Sequence, residues 1–515
     1  MRALGVRSSD ARPSIAVAAL TVLGLVLRLR VAGQGVFADE LSTYWIVSAH
    51  DLGGVISTVH SNAEITPPLS FVLSWLTTRP GLAPELLRAP ALVAGTASIP
   101  LAYLLGLRTV GRLAALLAAA LTALAPFMIY YSAEARGYGL AVALTMLSTL
   151  AMLRALDGGG GRWWLLYGAA SCAAVYTHYT TVFVLGAQFA WLLGAQRSAW
   201  RPALWANAGA VVCFLPWISG LLNDFSSPTA EILSRLSPFT PDAARIALEH
   251  WSIGYPYAIT PLRTLPGVVG LVLLALGLAA ALVGLAAKIR AGRGIRALSL
   301  DPRLGLVVVL ALAAPVGEAL VSAVATHLFG TRNLAVSWPG FALALAALLL
   351  AAGPRLRLLA AALVIASFAF GAVKMLDSRF GRPDYRALAR FVERRAAPGD
   401  VVIEGAILSP GPLSGLDAAL EEKLRIFRAG QPQQRDHPFA VFDPVAPLPD
   451  VGRRAAATAR GHRIFVVATK ERIDLLARQV GDGWLGRYRR VEVATWPGIL
   501  RLGVGVYERD PSRPG

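Results

Sequence analysis

The chain consists largely of apolar blocks about 16 to 24 residues long, separated by short polar or basic breaks. A helix needs about 20 apolar residues to cross the hydrocarbon core of a bilayer, and it satisfies its own backbone hydrogen bonds there. Of the 515 residues, 55% are hydrophobic and only 16% are charged, whereas about a quarter of the residues of a soluble domain are charged. The pattern predicts a multi-pass membrane protein and excludes a soluble one.

About eleven membrane spans are predicted from these blocks. They cover residues 15–32, 86–107, 112–131, 138–155, 163–178, 180–195, 202–222, 264–287, 304–327, 333–352 and 356–375. The first block is not expected to be cleaved as a signal peptide, because it is long and no small-residue cleavage site precedes the polar stretch 33–40.

The distribution of Lys and Arg predicts the orientation of the spans. With a cytoplasmic N-terminus, sixteen Lys and Arg residues lie on the cytoplasmic side, whereas up to the last span seven lie on the other side and two, Arg28 and Arg30, lie at a helix end. Cytoplasmic loops carry such an excess, so the loops 33–85, 132–137 and 223–263 and the C-terminal region are expected outside the cytoplasm. This topology and anionic lipid headgroups explain much of the formal charge of +18, which therefore requires no nucleic-acid partner.

Two domains are predicted. Residues 1–378 form an all-α polytopic membrane domain with outer loops 33–85 and 223–263, and residues 380–515 form a small α/β domain. The apolar stretch 69–76 is too short to span and is expected to form a helix in the membrane interface. The elements expected in the second domain are a helix at 385–395, strands at 401–403 and 463–468, a helix at 471–480, and a hairpin within 491–507 that turns at Pro497-Gly498.

Asp39 and Glu40 follow the first span directly. Adjacent side chains on a helix point about 100° apart. One carboxylate could therefore act as a general base while the other binds a substrate hydroxyl or a metal ion. Alternatively, Asp39 caps the N-terminus of the helix that follows.

A second group of candidates lies at the outer ends of later spans. Arg136 offers a planar fork suited to phosphate, which Glu134 could orient, or the two form an interfacial salt bridge. His178 could be a ligand or a packing residue, and Arg332 could be a second phosphate contact or could snorkel to the interface.

Asn62 and Glu64 precede the Pro67-Pro68 pair and could line a loop site or simply form a turn. Ionisable groups at membrane depth are costly and are usually functional. Carboxylates, arginines and a histidine on one face of the membrane suit an anionic, lipid-linked substrate with chemistry on its sugar.

The order of these motifs resembles the bacterial members of glycosyltransferase family 39, the protein O-mannosyltransferase-like branch of the GT-C superfamily of membrane glycosyltransferases. The resemblance covers about residues 1–380. It is carried by Phe37-Ala38-Asp39-Glu40, Pro67-Pro68-Leu69, Leu86-Leu87-Arg88, Ser132-Ala133-Glu134-Ala135-Arg136-Gly137-Tyr138, Thr177-His178-Tyr179 and Arg332.

The resemblance implies a GT-C type fold and an inverting transfer of a sugar from a polyprenyl-phosphate donor to an acceptor hydroxyl. Asp39 would be the catalytic base, and Glu40 would assist acceptor or metal binding. The lipid phosphate would be held by Arg136 and Arg332, with support from Glu134, Tyr138 and His178.

Three positions depart from the family pattern. Relatives commonly have His at the position of Thr66, an aromatic residue at that of Ser70, and Tyr at that of Asn333. These departures concern the acceptor subsite and the second phosphate contact, and they leave the class unchanged.

A divalent cation could serve as a cofactor, with Asp39, Glu40 and His178 as its candidate ligands. The expected partners are the polyprenyl-phosphate sugar donor, an acceptor glycan, lipid or protein, and membrane lipid, and the expected location is the bacterial plasma membrane. The alternative functions are a lipid-linked sugar flippase and a glycan ligase or polymerase. Clean spans with charges at one end favour an enzyme over a transporter, and a large outer loop that comes early disfavours a ligase or polymerase.

Overall fold

The structure is a computed structural model, and it describes residues 8–37, 39–227, 239–256, 260–290, 301–325, 327–404, 424–425, 433–434, 440–442, 448–471, 473 and 487–512. The chain divides into two compact units. The first unit comprises Met1–Ala32 and His50–Met375, and the second comprises Gly33–Ala49 and Leu376–Gly515. Residues 33–49, which follow the first span in sequence, thus belong to the same unit as the C-terminal region.

In chain order, the α-helices are α1 Ser8–Ala32, α2 Asp39–Ala49, α3 Leu52–Thr58, α4 Leu69–Thr77, α5 Pro84–Thr109, α6 Arg112–Leu124, α7 Pro126–Ser132, α8 Tyr138–Arg154, α9 Gly161–Val175, α10 Thr181–Ala195, α11 Trp200–Phe214, α12 Ile218–Phe225, α13 Pro241–Ser252, α14 Val268–Arg290, α15 Pro302–Val324, α16 Trp338–Ala351, α17 Arg357–Lys374, α18 Tyr385–Arg395 and α19 Leu448–Ala459. Short π-helical turns cover Val59–Ala63, Ala155–Gly159 and Arg263–Gly267. Short 3₁₀ turns cover Arg197–Ala199, Leu215–Trp217, Asn333–Ser337 and Ser378–Phe380.

Long apolar helices dominate the first unit. Among the described residues, eight helical segments are long and apolar enough to cross a membrane: Ser14–Ala32, Pro84–Thr109, Tyr138–Gly159, Arg197–Phe225, Arg263–Arg290, Pro302–Val324, Asn333–Ala351 and Arg357–Lys374. Each coincides with a predicted span. The chain is therefore a multi-pass membrane protein, as its apolar blocks predict.

The remaining three predicted spans differ from expectation in length or straightness. The predicted span 112–131 is two helices, α6 and α7, bent by 61°, because Pro126 disfavours a helical conformation at the preceding residue. Counted as one, this pair is a ninth candidate span. The predicted spans 163–178 and 180–195 are the 15-residue helices α9 and α10, which rise only about 22 Å. In the described part of the chain, eight of the predicted spans, or nine with the bent pair, are thus long enough to cross a membrane, and the other two are shorter helices.

The bend between α6 and α7 is stabilised by Arg28. This side chain is fully buried and donates hydrogen bonds to the carbonyl oxygens of Thr122 at 3.0 Å and Ala123 at 3.3 Å. The last carbonyls of a helix lack intrahelical partners, and Arg28 satisfies two of them at the end of α6. The sequence assigned Arg28 only to a helix end, whereas it packs inside the first unit.

Several helix pairs of the first unit approach closely. Helix α5 packs against α1, α6 and α8, while α14 packs against α17 and α15 against α16. In the α15–α16 pair, a Cβ atom at Gly340 would lie 2.6 Å from the carbonyl carbon of Leu310 and would overlap the backbone nitrogen of Ala311. Small residues permit such backbone contact between membrane helices.

Replacing Gly340 by Ala is therefore expected to destabilise the protein by about 1–3 kcal/mol, because backbone atoms of α15 cannot move aside cheaply. Gly209 in α11 offers a matched control, since nothing lies within 4 Å of a Cβ atom built there. Gly209→Ala should be neutral or stabilising by up to about 1 kcal/mol, because Ala favours helix more than Gly. Apparent unfolding midpoints in detergent test the pair. Equal midpoints would contradict close packing at Gly340.

The second unit contains a small mixed sheet. Its strands are β1 Val401–Glu404, β4 Ala440–Phe442, β5 Ile464–Thr469, β6 Tyr488–Trp496 and β7 Leu502–Arg509, in the order β4-β1-β5-β7-β6. Strand β1 is parallel to β4 and β5, whereas β7 is antiparallel to β5 and β6. Strands β2 Leu424–Arg425 and β3 Gln433–Gln434 form a separate antiparallel pair.

Each face of the sheet is covered by a helix. Leu388 and Val392 of α18 pack in one cluster with Phe465, and Ala455 of α19 packs in the other with Val466. Phe465 and Val466 are neighbours, and successive strand residues point to opposite faces.

The predicted elements of this region are confirmed where they are described: the helix 385–395, the strands at 401–403 and 463–468, and the hairpin around Pro497-Gly498. The predicted helix 471–480 lies mostly outside the described residues.

Candidate functional site

A buried ion pair forms the centre of the candidate site in the first unit. The Nη1 and Nη2 groups of Arg136 donate to Oε1 and Oε2 of Glu64, both at 2.8 Å. The two side chains are only 7% and 9% exposed. The guanidinium also lies 5.5 Å from the centre of the Phe71 ring. A bidentate pair of an arginine with a carboxylate is rigid and directional, so Arg136 is held in one orientation.

Local structure explains how these two residues meet. Arg136 lies in the turn between α7 and α8, where its backbone N–H donates to the carbonyl of Glu134 at 2.7 Å. Glu64 lies between the π-helical turn Val59–Ala63 and the Pro67-Pro68 pair, just before α4. The first residue of α4, Leu69, donates its N–H to the carbonyl of Tyr176 at 3.0 Å. This bond fixes the segment after Glu64 to the end of α9.

His178 lies in the turn between α9 and α10 and is buried. Burial, and then the positive charges of Arg136 and Arg332, lower its pKa to about 3, so the imidazole is neutral at physiological pH. Its Nδ1 atom contacts the Thr180 hydroxyl at 2.9 Å and accepts from the Thr180 N–H at 3.4 Å. The neutral ring therefore carries its proton on Nε2.

Two arginines contribute to the electrostatic environment of His178. Arg136 and Arg332 both act on the ring electrostatically, so the two arginines and the histidine share one neighbourhood. Arg332 is half-buried and immediately precedes the 3₁₀ turn Asn333–Ser337. Glu64 offsets one of the two positive charges. Arg136 and Arg332 supply the guanidinium donors of this neighbourhood, and such donors suit an anion.

The structure places the other candidates of this unit nearby. The Tyr138 ring centre lies 5.0 Å from that of His178, and Tyr138 begins α8 directly after the Arg136 turn. Glu134 is buried in that turn. Asn62 belongs to the π-helical turn before Glu64, but its side chain lies outside the described part of the chain. Arg136, Glu64, Tyr138, His178 and Arg332 thus form one group.

Asp39 and Glu40 belong to the second unit, where they open α2. Asp39 is half-buried. Glu40 is fully buried, accepts from the Phe37 N–H at 3.2 Å and pairs with Arg382 at 3.5 Å. Glu40 therefore contributes to capping the helix.

Sequence reasoning missed a polar network beside Glu64. The Tyr179 hydroxyl donates to Asp224 at 2.5 Å and accepts from Trp217 Nε1 at 3.1 Å. Asn223 donates to the carbonyl of His60 at 3.1 Å, which ties α12 to the turn that precedes Glu64. The partners lie far apart in sequence, so no local spacing could reveal them.

Within the described ranges, no group of three His, Cys, Asp or Glu side chains is arranged to hold a metal ion. The carboxylate of Glu40 is already engaged by Arg382 and by the Phe37 N–H. A divalent cation held by Asp39, Glu40 and His178 stays a prediction, and no catalytic step is derived through a cation.

Residues 66–219 match the family model described as dolichyl-phosphate-mannose-protein mannosyltransferase. The matched stretch contains Arg136, Tyr138 and His178. It confirms the predicted resemblance to protein O-mannosyltransferase-like enzymes. No curated protein matches the chain significantly.

Solved structures of low sequence identity match the chain. ArnT from Cupriavidus metallidurans bound to undecaprenyl phosphate is 14% identical, with a TM-score of 0.50 over 99% of this chain and 100% of that one. An Archaeoglobus fulgidus oligosaccharyltransferase tethered with an acceptor peptide is 12% identical, with a TM-score of 0.49 over 97% and 74%. The arabinofuranosyltransferase AftD from Mycobacteria is 15% identical, with a TM-score of 0.48 over 96% and 40%.

At these identities the likeness to ArnT shows a shared fold, and function has to be argued from the residues. The chain is a multi-pass membrane protein with the GT-C fold of membrane glycosyltransferases, and its residues 66–219 carry the pattern of the dolichyl-phosphate-mannose-protein mannosyltransferase family.

Proposed function

We propose that the protein transfers a sugar from a polyprenyl-phosphate donor to an acceptor hydroxyl, with inversion at the anomeric carbon, on the outer face of the bacterial plasma membrane. The observation that carries this proposal is the cluster of the buried Arg136 and His178 with the half-buried Arg332. The first two of these residues lie within the stretch that matches the mannosyltransferase family.

The cluster supports binding of a lipid phosphate. Two guanidinium groups act on one neutral imidazole, and charge-assisted hydrogen bonds from Arg to phosphate are among the strongest available. The Nε2–H of His178 supplies a further donor. ArnT, which shares the fold, is described with undecaprenyl phosphate bound, and this supports the same class of lipid as ligand here.

In the proposed mechanism, Asp39 accepts the proton of the acceptor hydroxyl as its oxygen attacks the sugar C1 atom. The bond between C1 and the phosphate oxygen breaks on the opposite side, so the configuration at C1 inverts. The phosphate leaves with the bonding electron pair, and Arg136 and Arg332 stabilise the charge that grows on it. Glu64 contributes by fixing the plane of the Arg136 guanidinium.

This proposal requires the second unit to be outside the cytoplasm, as the Lys and Arg distribution predicts for the C-terminal region. Alkaline phosphatase fused after Gly515 should therefore be active, and a fluorescent protein fused at the same point should be dark after Sec export. The opposite result would contradict the predicted orientation.

The lipid that co-purifies with the protein tests the ligand class. Mass analysis of a detergent-purified sample is expected to find a polyprenyl phosphate or its sugar conjugate, and less of it with Arg136→Met. Phospholipids alone, in equal amounts in both samples, would contradict the assignment.

A further inference from the structure

The first turn of α2, which carries Asp39, is fixed from two sides. Glu40 Oε2 accepts a hydrogen bond from the Phe37 N–H at 3.2 Å, and the Glu40 N–H donates to the Phe37 carbonyl at 3.2 Å. A glutamate that reaches back in this way is one half of a capping box. The same Oε2 atom lies 3.5 Å from Nη1 of Arg382.

Arg382 belongs to a short segment, Gly381–Pro383, that precedes α18. We call it the strap. The Arg382 N–H donates to Oε1 of Gln34 at 2.9 Å, and a Cβ atom at Gly35 would lie 3.2 Å from the Pro383 carbonyl. The strap therefore lies directly against the residues that lead into α2.

The strap is held in turn by the hairpin of the C-terminal sheet. The Ile499 N–H donates to the Gly381 carbonyl at 2.7 Å. A Cβ atom at Gly498 would lie 3.2 Å from that carbonyl and 3.4 Å from Cα of Pro383. An unbroken series of contacts thus runs from the β6–β7 turn through the strap to Glu40.

We infer that the C-terminal segment of the second unit, Leu376–Gly515, positions Asp39 through the pair of Arg382 and Glu40. These two residues are then positioning residues and not groups that contact the acceptor. Their side chains are 1% and 0% exposed, so an acceptor has no access to Glu40. Removing one partner of a buried ion pair leaves an uncompensated charge, which favours movement of the first turn of α2 or of the strap toward water. The inference rests on the proposed role of Asp39 as the base.

Hydrogen–deuterium exchange tests the attachment without relying on activity. In the full-length protein, Arg382→Gln should speed amide exchange in residues 39–44 at least about tenfold, because one buried charge has lost its partner. Arg382→Lys, which keeps the charge, should restore part of the protection. Arg379→Gln is the matched control, since Arg379 lies three residues earlier, is exposed and pairs with Asp377. Unchanged exchange in Arg382→Gln would overturn the inference.

Steady-state kinetics test the positioning role. A displaced base should lower kcat by about 10²-fold and leave the KM for the polyprenyl-phosphate donor within about twofold. The donor contacts are assigned to residues of the other unit, so a raised donor KM with unchanged kcat would overturn the role. Glu40→Gln should behave as Arg382→Gln does and provides a second variant if the first folds poorly.

Asp39→Asn, measured alongside, separates this inference from the proposed function. If Asp39→Asn retains turnover, the assignment of the base fails, and the exchange experiment still decides whether Arg382 and Glu40 hold the segment. If Asp39→Asn is inactive and Arg382→Gln exchanges and turns over like the wild type, the proposed function stands and the positioning role is wrong.

Discussion

Replacing Asp39 by Asn is expected to lower sugar transfer by about 10²- to 10⁴-fold, the contribution that a positioned general base commonly makes. Asn caps a helix about as well as Asp does, so the variant keeps any capping role and removes only the basic carboxylate. The measurement is release of polyprenyl phosphate from a polyprenyl-phosphate sugar by the purified, reconstituted protein.

Asp51→Asn is the matched control for this experiment. Asp51 caps α3 through a hydrogen bond from the Gly54 N–H at 2.7 Å, and Asn can accept the same bond. Both variants should insert and unfold like the wild type, and only Asp39→Asn should lose turnover. If both retain full activity, Asp39 is a cap and the base lies elsewhere.

Replacing Arg136 by Met is expected to have two separable effects. It leaves the buried Glu64 carboxylate without its partner, which should lower the free energy of unfolding by about 3–5 kcal/mol. It also removes a proposed phosphate contact, which should weaken binding of a polyprenyl phosphate at least about tenfold, since a charge-assisted hydrogen bond contributes about 1.5–3 kcal/mol.

The double variant Arg136→Met/Glu64→Gln separates these effects. It removes the uncompensated charge, so most of the stability should return while binding of polyprenyl phosphate stays weak. Arg245→Met is the control: Arg245 pairs with Asp242 and Glu249 on the surface of α13, where such pairs contribute about 0–1 kcal/mol. A double variant that binds polyprenyl phosphate like the wild type would make Arg136 purely structural and would leave Arg332 as the arginine that contacts the phosphate.

The membrane fold could be predicted because it depends on composition over long windows. Apolar blocks identify helices wherever their length approaches the hydrocarbon thickness, and a helix occupies each predicted span. The differences between the predicted spans and the helices are local. Pro126 turned one predicted span into two bent helices, and α9 and α10 each end after 15 residues.

The candidate site was predictable as a set of residues and not as a set of contacts. Arg136 and His178 belong to recognisable motifs, but Glu64, which pairs with Arg136, lies 72 residues earlier. The pairing of Glu40 with Arg382 joins the two sequence segments of the second unit. Such pairings depend on tertiary structure, which local spacing does not encode.

Glu40 shows how tertiary structure gives a residue a role that its sequence position does not reveal. In sequence, Glu40 is one of two adjacent carboxylates with interchangeable roles. In the structure, burial and pairing remove it from solvent, while Asp39 remains half-buried. The environment thus separates two groups that their chemistry alone could not distinguish.

The most direct test of the central claim is turnover of a lipid-linked sugar by the purified protein in liposomes. The donors are polyprenyl-phosphate conjugates of mannose, arabinose, galactose and an amino sugar, and the acceptor is an outer-membrane or cell-wall extract. Mass spectrometry follows both the lipid product and the extract. The account predicts that at least one conjugate is converted to free polyprenyl phosphate as its sugar appears on the acceptor, and that Asp39→Asn abolishes both changes. Movement of the intact conjugate between leaflets, with no cleavage of any of the four, would contradict it.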